Sequence, residues 1–280
     1  MTRLRALALA AGLAGSAASA PRVAAQVLPA QPARYLLTAD VDDARALWVN
    51  PAGLARRLEA SIGADIGVDR FSSGATQLSQ YGATVSSRGL AASWVHDRYP
   101  GGSSLKGGSV NAYAVGAGLG DERFSAGVTR RWYRGLVNFS AWDVALRAAT
   151  PYGGQLSLVG RGLGSPLPDS TYRPTVVPGA SVALLDGNVQ LGAEWEVAAQ
   201  RWRSVEIRAG GTASLGRSLA LTVRADLAPD LRRRRIILAV TWSPTQARVN
   251  TFAGFSGGLN EVDEFGASGA LVALSPPSRR

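Results

Sequence analysis

The feature that most restricts the fold is an alternation of apolar and polar residues that recurs along most of the chain. In "VQLGAEWEV" Val189, Leu191, Ala193, Trp195 and Val197 share one parity, and Gln190, Glu194 and Glu196 take the other. The stretch "LEASIGADIGVD" sets Leu58, Ala60, Ile62, Ala64, Ile66 and Val68 against Glu59, Asp65 and Asp69. The same holds in "SVEIRAGGTASL" and "LALTVRADL", where Glu206 and Arg208, then Arg224 and Asp226, oppose aliphatic residues. A period of two is the signature of β-strands with one apolar and one polar face. Beyond the first residues no run reaches the roughly 18 apolar residues that a membrane-crossing helix requires.

About fourteen such segments can be marked, at the roughly 9 to 11 residues of a tilted membrane-crossing strand. They fall near 58–69, 76–86, 88–96, 107–118, 123–132, 141–150, 155–162, 175–185, 188–199, 204–215, 218–228, 232–242, 245–255 and 264–274. Alternate connections are tight: "SSRG", "GLGDE", "PYGG", "LLDGN", "LGRS" and "WSPTQ". The others are longer, as in "DRYPGGSSLKG", "YRGLVNFS" and "GLGSPLPDSTYRP". Short turns at one rim and longer loops at the other describe an all-β, transmembrane, antiparallel up-and-down barrel. Phe71, Trp94, Tyr99, Trp132, Tyr133, Trp142, Trp202, Phe255 and Phe265 fall near the expected outer strand ends, where aromatic side chains form an interfacial girdle. The competing reading is a soluble sandwich or propeller with these aromatics in its core, but no internal repeat marks propeller blades.

The chain opens as exported proteins do. Arg3 and Arg5 precede the apolar run Ala6 to Ala14, and small residues follow, so residues 1–25 read as a signal peptide ending at "VAA", with Gln26 first in the mature chain. The expected destination is a Gram-negative-type outer membrane, where barrel-assembly machinery and lipopolysaccharide are the natural partners. The chain has no cysteine, which excludes disulfides, thiolate metal sites and cysteine nucleophiles.

Between the leader and the first strand lies "ADVDDARALWVNPAGLA", Ala39 to Ala55. This block resembles the N-terminal hatch of the FadL-like long-chain fatty acid transporters and of the related PorV-like outer-membrane barrels, which carry an Asn-Pro-Ala element after an acidic, small-residue lead-in. Asn50, Pro51 and Ala52 match, and Gly53 and Leu54 continue the pattern. The resemblance implies fourteen antiparallel strands, a hatch that includes Trp48, Asn50, Pro51, Ala52 and Gly53, and passage of a small hydrophobic or amphipathic ligand. It also implies an alternative, a PorV-like barrel that serves as a scaffold in a secretion or envelope complex. The chain departs from the transporters in its shorter length and outer loops, and its last strand, "EFGASGALVALS", does not end on an aromatic residue.

Physically, Pro51 fixes its own φ and turns Asn50 away from helix, so "DDARALWV" reads as a short helix that stops in a turn. That turn either plugs a lumen or links a periplasmic helix to the first strand. The organisation expected is a leader at 1–25, a hatch at 26–57, a barrel at 58–275 and a tail at 276–280.

Strand parity places Glu59, Asp65, Asp69, Asp143, Arg147, Arg161, Glu194, Glu196, Glu206, Arg208, Arg224 and Asp226 on the lumenal side. Charges of both signs on neighbouring strands form either a supporting ladder of ion pairs or a polar permeation path. The net charge of +10 comes almost wholly from arginine, with Lys106 the single lysine. In an exported barrel this points away from nucleic acid. Arg232, Arg233, Arg234 and Arg235 stand at an expected outer strand end, where guanidinium groups suit lipopolysaccharide phosphates or simply line a headgroup rim.

No cofactor or metal site is expected, because no cluster has ligand spacing and "GAGLG" and "GRGLG" lack the strand-to-helix setting of a nucleotide fingerprint. Nor is an enzyme expected. His96 is the single histidine, and Ser93, three residues away on a strand, points to the opposite face.

Overall fold

The computed structural model describes residues 36–56, 60–70, 76–99, 108–164, 174–216, 218–242, 245–246, 249–258 and 264–273. The leader, Gln26, Glu59, Phe71, Lys106, Arg173, the loops at 100–107 and 165–173 and the tail at 276–280 lie outside the described residues.

After a short N-terminal segment the chain is all β. The first strands are β1 (Ala60–Arg70), β2 (Thr76–Ser87), β3 (Leu90–Tyr99), β4 (Gly108–Gly120) and β5 (Phe124–Gly135). Next come β6 (Phe139–Thr150), β7 (Gly154–Leu163), β8 (Thr175–Leu184), β9 (Val189–Ala198) and β10 (Arg203–Ser214). The series ends with β11 (Leu219–Leu227), β12 (Arg233–Trp242), the two-residue β13 (Thr245–Gln246), β14 (Val249–Gly258) and β15 (Glu264–Ala273). From β1 to β12 every strand pairs antiparallel with its sequence neighbours in a single up-and-down sheet. β14 pairs with β12, β13 and β15, and β15 pairs with β1 from Ala60↔Ala273 to Asp69↔Glu264.

The strands exist where the alternation marked them, because a period of two lets one face carry most of the charges. β6 shows the rule plainly: Phe139, Ala141, Asp143, Ala145 and Arg147 are buried, while Trp142, Val144 and Leu146 are exposed. Ile62 and Ile66 on β1, Val115 on β4, Leu156 and Leu158 on β7, and Leu221 and Val223 on β11 are likewise exposed. Apolar side chains therefore dominate the outer face, and most charged ones within the strands are buried, with Arg130 beside Trp142 an outward exception. This inverts the arrangement of a soluble sheet.

Three details differ from the sequence reading. "YRGLVNFS" is not a long loop, because β5 and β6 extend until only residues 136–138 connect them. Within it Tyr133 is buried rather than part of an outer girdle, and its ring stacks on Phe139 at 4.4 Å. Val197, expected on the outer face, is buried beside Glu196, because a register shift between Ser204 and Glu206 on β10 bends the pairing there. A bulge of this kind breaks strict alternation. Of the other girdle aromatics, Trp94, Trp142 and Trp202 are exposed and Trp132 is half-buried. The side chains of Tyr99, Phe255 and Phe265 lie outside those described.

Turn chemistry fixes the strand order. Arg88 and Gly89, with φ of 49° and 80°, join the paired Ser87 and Leu90 in a two-residue hairpin of the primed type that suits strand twist. At the next tight turn the Asp121 carboxylate accepts from the amides of Arg123 (2.7 Å) and Phe124 (2.9 Å), holding the chain reversal.

Gly89 and Gly187 offer a paired test, since both have positive φ. A Cβ on Gly89 would lie 2.6 Å from the Gly118 carbonyl oxygen, whereas a Cβ on Gly187 would meet nothing within 4 Å. Gly187→Ala should cost about 1 kcal/mol from backbone strain alone, and Gly89→Ala distinctly more. Urea unfolding midpoints of the two variants check the order.

Candidate functional site: the N-terminal segment and its charged wall

Residues 36–56 lie against the inward face of the sheet. The helix α1 (Ala46–Val49) ends at Asn50, and Pro51–Arg56 follow as a 3-10 turn. The expected helix is therefore shorter than "DDARALWV", with its first part taken up by turns. Trp48, Asn50, Pro51, Ala52, Gly53 and Leu54 are all buried.

The choice of residues at the Asn-Pro-Ala element has a local cause. Asn50 is extended (φ −155°, ψ 97°), as a residue before proline must be. Its side-chain amide donates to the Thr38 carbonyl at 2.7 Å, and its side-chain oxygen accepts from the Ala52 amide at 3.0 Å. A buried side chain that must donate and accept at once excludes aspartate and leucine. Gly53 follows because a Cβ there would sit 2.3 Å from the Val41 carbonyl oxygen. On the wall, a Cβ at Gly127 of β5 would lie 2.2 Å from the Pro51 carbonyl, so a glycine lets the turn approach the strand backbone.

Strand side chains hold the segment chiefly by its main chain. Arg147 on β6 donates to the Val41 carbonyl at 2.8 Å, Arg161 on β7 to the Val49 carbonyl at 3.1 Å, and Arg224 on β11 to the Leu36 carbonyl at 3.3 Å. Thr129 on β5 donates to the Leu47 carbonyl at 3.1 Å, and Glu194 on β9 accepts from the Thr38 amide at 2.7 Å. Side chains add specificity. The Trp48 indole donates to the Ser93 hydroxyl at 3.0 Å, Gln190 donates to Asp40 at 2.7 Å, and the Thr38 and Ser157 hydroxyl oxygens are 2.8 Å apart. The described contacts of this one segment thus reach strands from β3 to β11.

Behind the segment the charges form a ladder. Arg208 pairs with Glu194 (2.6 Å), Glu206 (2.7 Å) and Glu196, and Arg224 pairs with Asp226 at 2.7 Å. Arg161 reaches Glu196 at 3.9 Å, while Asp143 pairs with Arg131 and accepts from the Gly162 amide at 3.0 Å. Arg131 also lies 5.5 Å from the Trp48 ring centroid. Neither Arg131 nor the small wall residues Ser93, Thr129 and Ser157 stands out in the sequence. Arg131 shares strand parity with Thr129 and Tyr133, which was the available signal. Of the acids and arginines expected inward, Asp65 and Arg147 have no ion pair within the wall among the described residues. The side chain of Asp69 lies outside those described.

Of the arginine run at the start of β12, Arg232, Arg233 and Arg234 are exposed and Arg235 is half-buried. Within it Arg232 reaches Asp230 at 3.3 Å and Arg234 reaches Glu206 at 3.7 Å. His96 and Ser93 are not brought together. His96 meets the Asn111 side-chain oxygen at 2.9 Å and lies beside the Tyr81 ring, while Ser93 turns inward to Trp48 and Thr84.

No protein-family model matches the chain, and no curated protein matches it. Among solved structures it is similar to the outer membrane protein Omp33 of Acinetobacter baumannii, with a TM-score of 0.47 and 8% identity over 78% of this chain and 98% of that one. A triple mutant of the Rhodopseudomonas blastica porin gives a TM-score of 0.41 and 8% identity over 76% of this chain and 98% of that one. CdiB from Acinetobacter baumannii gives 0.36 and 9% identity over 77% and 60%.

Asp40 makes the docking of the segment sensitive to pH. Burial pushes its carboxyl up from 3.8 to about 6; the Ser181 hydroxyl and the Arg147 charge oppose the rise, Glu194 adds to it, and Gln190 opposes it. The docked state therefore favours protonated Asp40, and raising the pH from about 4 through about 6 removes that preference. Hydrogen-exchange protection of the amides from Leu37 to Leu54, corrected for intrinsic rates, should be higher at pH 5 than at pH 7.5. Asp40→Asn should flatten the difference.

Proposed function

We propose that the chain is an outer-membrane barrel of about fourteen strands, exported by the leader at 1–25 and plugged by residues 36–56, which act as its hatch. The observation that carries this reading is the inverted sheet, apolar outward and charged inward. Such a sheet is stable where lipid surrounds it and its interior is polar. Closure is supported by the pairing of β1 with both β2 and β15, and of β14 with both β12 and β15. A sheet paired at both ends leaves no row of backbone groups open to lipid.

In this reading small amphipathic molecules pass inward when the hatch shifts. The wall behind it is charged rather than greasy, which suits an amphipathic cargo better than a wholly apolar one. Arg232 to Arg235 then stand at the outer rim, where exposed guanidinium groups suit lipopolysaccharide phosphates.

The second reading, a non-transporting barrel that serves as a scaffold, is favoured by the number of wall side chains that grip the hatch main chain.

A cross-link separates the two. Because Thr38 and Ser157 bring their γ-oxygens within 2.8 Å and the chain has no cysteine, Thr38→Cys with Ser157→Cys should close a disulfide between hatch and wall. Uptake of a small amphipathic probe into vesicles should stop in the oxidised form and return on reduction, and deletion of Asp40 to Gly53 should raise single-channel conductance. Equal uptake in both redox states, with no conductance gained on deletion, supports the scaffold instead.

A further inference from the structure

The outward face of β3 to β6 departs from the apolar rule in one patch. Asp97 and Asp143 are the acids of these four strands, and both are buried on the inward face. Arg98, Arg130 and Arg134 take the opposite parity, outward with Trp94, Trp132 and Trp142. Arg98 and Arg134 are exposed near the outer ends of β3 and β5, but Arg130 is half-buried in the middle of β5. A cation on the lipid side of a barrel is costly at mid-bilayer and tolerated at the interface. Among the described residues no carboxylate pairs with any of the three.

The path of the Arg130 side chain reduces that cost. Arg130 pairs by register with Trp142, yet its guanidinium donates to the Ser140 hydroxyl at 2.5 Å, and Ser140 pairs with Trp132, one outward position nearer the end of β5. The side chain therefore runs along the sheet towards the outer rim, as long basic side chains do at a membrane interface. Two indoles hold it there, because its guanidinium carbon lies 4.8 Å from the Trp142 ring centroid and 6.0 Å from that of Trp132. Arg134 donates to the Tyr133 carbonyl at 2.9 Å through one nitrogen. A guanidinium carries five N–H donors, so these contacts leave Arg130 and Arg134 with donors for an acceptor from outside the chain. Beside them Trp94 and Tyr113 stand opposite each other with exposed rings, and the Trp94 indole is held by the Asn111 side-chain oxygen at 3.2 Å.

We propose that this patch binds the phosphorylated sugar head of an outer-leaflet glycolipid, with Arg130 as its anchor and Arg98 and Arg134 as its outer edge. The inference rests on the outer-membrane reading and adds a fixed lipid position on β3 to β6, apart from the arginine run of β12. Charge complementarity selects an anionic lipid, because three guanidinium groups share this face and no carboxylate does. A guanidinium steadied by two indoles presents paired N–H groups that match a phosphate. The exposed rings of Trp94, Tyr113 and Trp142 then meet sugar and the first carbons of the acyl chains, the half-wet material that Trp and Tyr suit. From β3 to β6 the patch covers three strand spacings, about 14 Å, which fits a phosphorylated disaccharide better than the single phosphate of a phospholipid.

The test is lipid retention by the intact protein in mild detergent, read by native mass spectrometry after addition of diphosphoryl lipid A. Wild type should hold lipid A, and should hold dephosphorylated lipid A or phosphatidylglycerol at least about tenfold less well, as the loss of charge-assisted bonds implies. Arg130→Gln should weaken lipid A retention by a similar factor. Arg98→Gln combined with Arg134→Gln, which leaves the Arg130 contacts in place, should weaken it too, whereas replacing Arg232, Arg233, Arg234 and Arg235 by Gln should leave it unchanged. Heat-shifted gel migration verifies that each variant is folded. A wild type that holds no lipid A, or an Arg130→Gln variant that holds it equally well, would overturn the site. Equal retention of phosphatidylglycerol and lipid A would overturn the glycolipid as its occupant. None of these results touches the outer-membrane reading, which fails instead if the chain is recovered as a soluble periplasmic protein.

Discussion

Charge buried on the inner face of a sheet whose outer face is apolar has to be satisfied without bulk water, and the rest of the structure follows from that requirement. Each inward arginine needs acceptors, and each inward carboxylate needs donors. Neighbouring strands meet part of the need: Arg208 bridges three glutamates and Arg224 holds Asp226. The segment at 36–56 meets more of it by offering carbonyl groups at Leu36, Val41, Leu47 and Val49 to wall donors. Because the contacts go to the main chain, the segment needs an irregular path with exposed carbonyls, and a long regular helix would hide them. Asn50 and Pro51 supply that irregularity, ending α1 after a single turn.

The same requirement explains where glycine and small residues are placed. The segment can reach donors on distant strands only if its backbone comes close to the wall, and Gly127 permits contact with Pro51 that any side chain would block. Gly53 allows the segment to fold over its own Val41 carbonyl. Asp40 is the counterpart in charge, a half-buried acid near Arg147 and Glu194 whose ionisation works against docking. Tight backbone approach and a titratable acid together describe a segment that is firmly seated yet responsive.

Much of the fold was legible in the sequence because alternation is a local signal. Strands such as β6 and β11 follow directly from their period of two, and the hairpin at Arg88 and Gly89 follows from its turn residues. What stayed hidden is what depends on distant partners or on breaks in the period. The shift between Ser204 and Glu206 reverses the facing of Val197, and alternation cannot register it. The extension of β5 and β6 through Tyr133 and Phe139 rests on a ring stack between strands, so a stretch that reads as a loop is paired sheet. At the site, Asn50 and Pro51 were visible through their motif, and the acids and arginines through their parity. Arg131 and Thr129 were not, since their partners Trp48 and Leu47 lie 83 and 82 residues away.

The central claim is that lipid meets one face of these strands and the polar interior meets the other. With no native cysteine, single Cys substitutions along β6 from Phe139 to Thr150 can each carry a spin label in vesicles of outer-membrane lipid. Accessibility to oxygen, which concentrates in lipid, should peak at Trp142, Val144 and Leu146 and fall at Ala141, Asp143 and Ala145, with a water-soluble nickel complex failing to reach the first set. Labels at Trp142, Val144 and Leu146 that are reached by the nickel complex and not by oxygen would mean that this face meets water, and the account would be wrong.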